Sequence, residues 1–198
     1  MRKFCLEPGS STREKLAILS QCILAKKEYE FVYSKKALEA HIPIGSVAYC
    51  EQIIPKSIRK NFYPDFLSNF LYRKISLNLK NRTKSYFIKD AANWKSDFVS
   101  KIYEKDEVLP EGQYLFSDPV SFVQEWRYYI AKGKLITTGW YSGEDENEPA
   151  PLLKIEWPID FNAAVDFGRL STGEIALVES HDPFACGWYG DNHKDYAF

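Results

Sequence analysis

Apolar positions change their rhythm once along this chain. Up to about residue 80 they recur at mixed intervals; from Tyr86 onward they sit in short blocks between turn signals. In the first part, Leu16 to Ala25 (LAILSQCILA) is an apolar stretch preceded by Ser11-x-x-Glu14. That capping box predicts a helix over about residues 12–28. His41-Ile42-Pro43-Ile44-Gly45 leads into a predicted strand, Ser46 to Cys50. A second helix is predicted from Pro64 to Arg73, with Phe66, Phe70 and Leu71 on one face.

In the second part, Tyr86 to Lys89 and Gln113 to Phe116 read as strands. Glu125 to Ala131 and Lys134 to Tyr141 flank Lys132-Gly133, a hairpin signal. Gly143 to Pro151 is acidic, carries proline, and reads as an exposed loop. Ala163 to Leu170 and Glu174 to Ser180 flank Ser171-Thr172-Gly173, a second hairpin. Helix early, strands late and no regular βα alternation predict an α+β fold.

Composition narrows the class of molecule. The 198 residues are 45% hydrophobic and 16% aromatic, enough for a packed interior and against a disordered chain. The net charge of -1 gives no global drive toward nucleic acid or anionic lipid. Ile58 to Lys60 and Arg73-Lys74 are too sparse for a nucleic-acid surface. Cys5, Cys22, Cys50 and Cys186 show no CxxC spacing, which fits reduced thiols in the cytoplasm. No apolar run reaches the roughly 20 residues that cross a bilayer. The competing reading of Leu16 to Ala25 is a secretory leader, but Lys26-Lys27 stands where a cleavage site belongs.

The last hairpin carries the most chemistry. A two-residue Thr172-Gly173 loop pairs Ser171 with Glu174 and, counting back, Asp166 with Glu179. Like charges directly opposite destabilise a sheet. A hard divalent cation would offset them, and Asp182 could add a third carboxylate. The competing reading makes one of them a solvated edge charge or slips the turn by one residue. In the other hairpin, a Lys132-Gly133 loop places Glu125 opposite Trp140 and Arg127 opposite Thr138. Glu125 and Arg127 then share a face, as a surface ion pair or as a metal ligand beside an anion clamp. Lys89 and Lys95 flank a short loop and could hold a polyphosphate from two sides. Neither GxxxxGK[ST] nor GxGxxG occurs, so any bound nucleotide must rely on discrete cations and metal.

In order, Lys89 in FIKD, Lys95 in NWKSDF, Glu125 and Arg127 in QEWRYYI, Asp166 in AVDFGRL and Glu179 in ALVESHDP resemble ATP-grasp proteins. The clade marked by one arginine and two lysines is the nearest likeness. HIPIGSVAYCEQ is similar to a segment of that clade's N-terminal lobe, SDPVSFVQEWRYYIAKGKLITTGWY to its central hairpin, and DPFACGWYG to its closing segment. The resemblance runs from about residue 41 to the end. It implies a reduced N-terminal lobe over 1–80, an ATP-grasp core over 81–198, and ATP with magnesium between two antiparallel sheets. It further implies ligation of a carboxylate to an amine through an acyl-phosphate, the acceptor being a peptide, a protein or a small amine. By similarity, Lys89 and Lys95 contact the ATP phosphates, and Tyr114 to Ser117, with Phe116 between, forms the adenine-side hinge. Arg127 grips the γ-phosphate or acyl-phosphate, Asp166 and Glu179 hold magnesium, and Glu125 stands near metal and substrate. The chemistry needs these types, because phosphoryl transfer is chiefly positioning and charge stabilisation.

One departure stands out. The family usually has Glu-x-Asn at the end of the last strand, whereas Ser180 is followed here by His181. Histidine suits magnesium poorly. Asp182 could take over; His181 is left as a surface residue, a manganese ligand or a substrate contact. Two rival readings therefore remain: a nucleotide-binding interaction module that has lost catalysis, and a strand-rich binding module without nucleotide. Trp126, Trp140, Trp157, Trp188 and Tyr189 read as core and sheet-face aromatics.

Overall fold

The computed structural model of the chain describes residues 2–9, 29–32, 42–44, 46–50, 62–92, 97–181, 187 and 189. The helix expected over 12–28 and the candidate residues Lys95 and Asp182 lie outside them. Near the N-terminus, β1 (Arg2–Leu6), β2 (Tyr29–Val32) and β3 (Ile42–Ile44) form a sheet of order β2-β1-β3, both neighbours parallel to β1. The sequence pattern announces none of this, because strands of three to five residues are too short for alternation to be read.

The stretch expected as a strand at Ser46 to Cys50 is instead a helical turn, α1 (Val47–Cys50). Ser46 is the reason. Its Oγ accepts from Tyr49 N at 3.2 Å and its carbonyl from Cys50 N at 3.0 Å, which is a helix start. The helix expected from Pro64 to Arg73 shrinks to a 3-10 helix, Asp65–Phe70. Asp65, Ser68 and Asn69 favour turns over helix interiors, and Tyr72, at φ 47°, ends the run. Among the described residues the chain is mostly sheet, and the helical half of the α+β expectation is not found there. No described helix is long and apolar enough to cross a membrane.

Two four-stranded antiparallel sheets position everything that follows. The first has β4 (Ile75–Leu77), β5 (Tyr86–Asp90), β6 (Lys101–Tyr103) and β7 (Tyr114–Ser117) in the order β4-β7-β5-β6. The second has β8 (Phe122–Ala131), β9 (Lys134–Gly143), β10 (Ala163–Leu170) and β11 (Ile175–His181) in the order β11-β10-β8-β9. Each has its own core. Ile88, Tyr103, Tyr114 and Phe116 pack in the first. Trp126, Tyr128, Ile130, Val165, Phe167 and Leu177 fill the second, with Leu67 and Phe161 beneath. Tyr128 Oη donates to Pro151 O at 2.6 Å and Trp126 Nε1 to Glu148 O at 3.0 Å. The acidic 143–151 connection is thus largely exposed yet tied to this core face by its backbone.

The hairpin registers turn on bulges. Lys132 (φ 50°) and Gly133 (φ 66°) make the expected two-residue turn with both residues left-handed, the form that matches strand twist. Bulges then insert Ile136 and Tyr141 into β9. Arg127 consequently faces Gly139, not Thr138, and Glu125 faces Ser142, not Trp140. In the last hairpin the loop is three residues long, because Leu170 N donates to Glu174 O at 2.9 Å. Ser171 therefore does not pair with Glu174. A bulge at Val178 restores the count, and Asp166 does face Glu179.

Candidate functional site

One rung of the second sheet reads Glu179, Asp166, Arg127, Gly139 across β11, β10, β8 and β9. Alternation sends Trp126, Tyr128, Val165 and Phe167 into the core, so their neighbours Arg127 and Asp166 face the other way. In a regular strand Leu177 and Glu179 would share a face. The bulge at Val178 separates them, with Leu177 in the core and Glu179 on the opposite side beside His181.

Arg73 secures that bulge. Its Nη1 donates to Leu177 O at 2.6 Å and its Nη2 to Val178 O at 2.9 Å, while Nε reaches Ser117 Oγ at 3.0 Å on the first sheet. Tyr63 and Phe122 place their rings 5.6 and 5.5 Å from its guanidinium carbon.

The facing carboxylates are engaged from three directions. Arg127 Nε and Nη2 donate to Asp166 Oδ1 and Oδ2, both at 2.7 Å, with side chains 5% and 2% exposed. Lys89, on the first sheet, donates across the gap to Glu179 Oε2. His181 Nε2 lies 2.7 Å from Glu179 Oε1 and 3.3 Å from Asp166 Oδ2. Burial alone would raise Asp166, but the hydrogen bonds from Arg127 and His181 hold its carboxyl below the usual range. Burial pushes the Lys89 ammonium down to about 8; Asp166 opposes this and Arg73 adds to it.

Tyr141 and Tyr189 cover Arg127, their ring centroids 4.5 and 5.3 Å from the guanidinium carbon. Tyr141 is the second bulge residue of β9, so its unpaired position turns a ring onto the site. Tyr129 Oη donates to Gly187 O at 2.5 Å and accepts from Tyr189 N at 2.8 Å, which pins the segment carrying Tyr189. Glu125 lies beside Gly168, whose missing side chain makes room; a Cβ there would come 3.1 Å from Glu125 Cγ. Burial raises the Glu125 carboxyl, the Asp166 charge adds to this, and Arg127 opposes.

An open cleft of about 1050 Å³ lies between the sheets, lined by Phe62, Lys89, Glu179 and His181 together with Pro110 to Tyr114. Phe62 lays its ring 4.0 Å from Lys89 Nζ. Of the residues expected at a nucleotide, Lys89 and Tyr114 line this cleft. Phe116 is packed in the first core against Tyr86, and the buried Ser117 hydroxyl is engaged by Arg73 and donates to Asp118 O. Arg127, Asp166, Glu179 and His181 are brought together by pairing distances. Sequence reasoning passed over Arg73, Phe62 and Tyr141. Arg73 bonds to carbonyls about a hundred positions away, which no local motif reports.

Asp166, Glu179 and His181 each offer one ligand atom, all within 4.8 Å of one another. Two carboxylates and an imidazole form a donor set for a divalent cation. Cations on both sheets and a metal-capable cluster, two of whose members line the cleft, suit a polyanion held between sheets. Comparison with known families bears on this directly: the family model described as ATP-grasp domain, R2K clade family 2, matches residues 70–198. No curated protein matches the chain at a significant level.

Proposed function

The chain belongs to the ATP-grasp domain family, R2K clade family 2, and from that premise we propose that it is an ATP-dependent carboxylate–amine ligase working through an acyl-phosphate. The observation that carries this reading is the meeting of Lys89, from one sheet, with Glu179, Asp166, His181 and Arg127, from the other, where Lys89, Glu179 and His181 line the intersheet cleft. Charge accumulates on the transferring phosphoryl oxygens, and catalysis of such a transfer is mostly positioning and cation stabilisation.

In this reading Lys89 and Lys95 hold the ATP phosphates, and Tyr114, with the Phe116–Ser117 backbone, borders the adenine. Arg127 is positioned by Asp166 and by the two tyrosine rings to meet the transferred phosphoryl group. Glu125, beside Arg127, orients the amine. Asp166, Glu179 and His181, with Asp182 next in sequence, would hold a divalent ion, magnesium or manganese, whose chemistry is to neutralise phosphate oxygens. The acyl acceptor is a peptide, a protein or a small amine. A reducing, cytoplasmic setting, expected from the cysteine spacing, goes with this reading.

The test combines binding and trapping. ATP with magnesium or manganese at about one hundred times Kd should stabilise the fold by about 2.7 kcal/mol. Carboxylates screened with hydroxylamine should then yield ATP-dependent hydroxamates and ADP, since hydroxylamine captures an acyl-phosphate. Stabilisation by ATP with no ADP release from any carboxylate favours the binding-only module. No stabilisation at millimolar ATP with either ion removes both readings.

A further inference from the structure

We propose that His181 is a metal ligand that selects the ion, making this site favour a nitrogen-accepting first-row transition ion over magnesium. The proposal rests on the nucleotide reading above and assigns one of its determinants to a single side chain. His181 Nε2 lies 2.7 Å from Glu179 Oε1 and 3.3 Å from Asp166 Oδ2, so two carboxylates from adjacent strands converge on one nitrogen. One N–H can donate fully to only one of them. A cation placed among the three satisfies both at once, and their ligand atoms already lie within 4.8 Å of one another.

The backbone fixes this convergence. Glu179 and His181 are two positions apart beyond the Val178 bulge, so they share a face. His181 pairs with Ala164, whose small side chain stands on the Asp166 side of β10 and leaves the imidazole room to lean toward Asp166. The imidazole also lines the cleft, as Lys89 and Phe62 do.

The chemistry of the donor set then decides which ion fits. Magnesium demands oxygen ligands in near-ideal octahedral array and gives up water reluctantly. Imidazole nitrogen is taken more readily by first-row transition ions, and their affinity for a mixed nitrogen–oxygen site rises from manganese upward through the series. Manganese is therefore the most demanding probe, because any preference it shows over magnesium is the smallest of the series.

The experiment uses the full chain, labelled with 15N, loaded with Mn2+ and an unlabelled non-hydrolysable ATP analogue, and examined by pulsed electron paramagnetic resonance. A 15N coupling of imidazole size on the manganese, absent in His181→Asn, is the expected result. Calorimetric competition should show the Mn2+-over-Mg2+ preference shrinking by about tenfold or more in His181→Asn, since even outer-shell partners of a metal are worth about 10–100-fold. Thermal melting checks that the variant is folded. Mn2+ bound beside the analogue with no protein nitrogen coupling, or an unchanged ion preference in His181→Asn, overturns the proposal and leaves nucleotide binding standing. An analogue that fails to stabilise the protein at all overturns the functional reading, and this inference with it.

Discussion

Leu177 and Glu179 stand two positions apart on one strand and face opposite sides of its sheet. Leu177 pairs with Phe167 in the core, while Glu179 pairs with Asp166 over the cleft. Only the extra residue Val178 makes this possible, and it yields an asymmetric prediction. Deleting Val178 makes the two residues consecutive, so ordinary alternation keeps Leu177 inside and Glu179 outside. That variant should lose about 1.5–3 kcal/mol, the worth of one charge-assisted bond from Arg73, and should retain binding of nucleotide with metal. Inserting one alanine after Val178 should instead abolish that binding, because a regular strand then carries Glu179 two positions past Asp166, opposite Ala164, and His181 further still. Chemical denaturation and calorimetry on the pair check both halves.

Arg127 and Asp166 form a bidentate pair with almost no exposure. Removing one partner strands the other charge in the interior. Asp166→Asn and Arg127→Gln should each cost about 3–5 kcal/mol. The double variant should cost less than the sum of the two, by up to about 3 kcal/mol of coupling. Strictly additive urea midpoints would show that the pair is not buried as described.

Lys89 gives the protein a pH signature. Its folded value is about 8 against an ordinary 10.5. Below 8 both states are protonated and the fold bears the full penalty of the buried charge. Between about 8 and 10.5 the folded state sheds its proton first, so the unfolded chain binds more protons and stability rises with pH. Measured against Lys89→Met, the wild type should gain up to about 3 kcal/mol across that window, at about 1.4 kcal/mol per pKa unit. Parallel stability curves for the two proteins would contradict the assignment.

The same lysine predicts opposite effects on two ligands. Lys89 donates to Glu179, one of the three metal-capable groups, so it competes with a cation arriving alone. Lys89→Gln should therefore bind Mn2+ without nucleotide more tightly than wild type, and an ATP analogue more weakly. Each shift should be about tenfold, the equivalent of about 1.4 kcal/mol. Calorimetry of each ligand separately reads both signs.

How far the sequence reaches depends on whether a feature is local. Lys132-Gly133 was legible because two adjacent left-handed residues are a local demand. Asp166 opposite Glu179 was also legible, though by two compensating slips: the loop is one residue longer than its turn residues suggest, and Val178 absorbs the difference. No such compensation exists for Glu125 and Arg127, whose β9 partners are displaced by Ile136 and Tyr141. A bulge answers to the packing of both faces, so strand alternation alone does not locate it. Ser46 was misread because its capping role shows only once the following residues are seen to turn back on it. Arg73 was invisible for a different reason: its acceptors at the bulge are carbonyls of distant residues, and a carbonyl carries no side-chain signature.

Arg73 has one further effect, on how the molecule can move. It bolts Ser117 on one sheet to Leu177 and Val178 on the other, and stretching that bolt breaks several charge-assisted bonds together. The spacing of the two sheets is consequently held fixed where Ser117 stands across from the Val178 bulge.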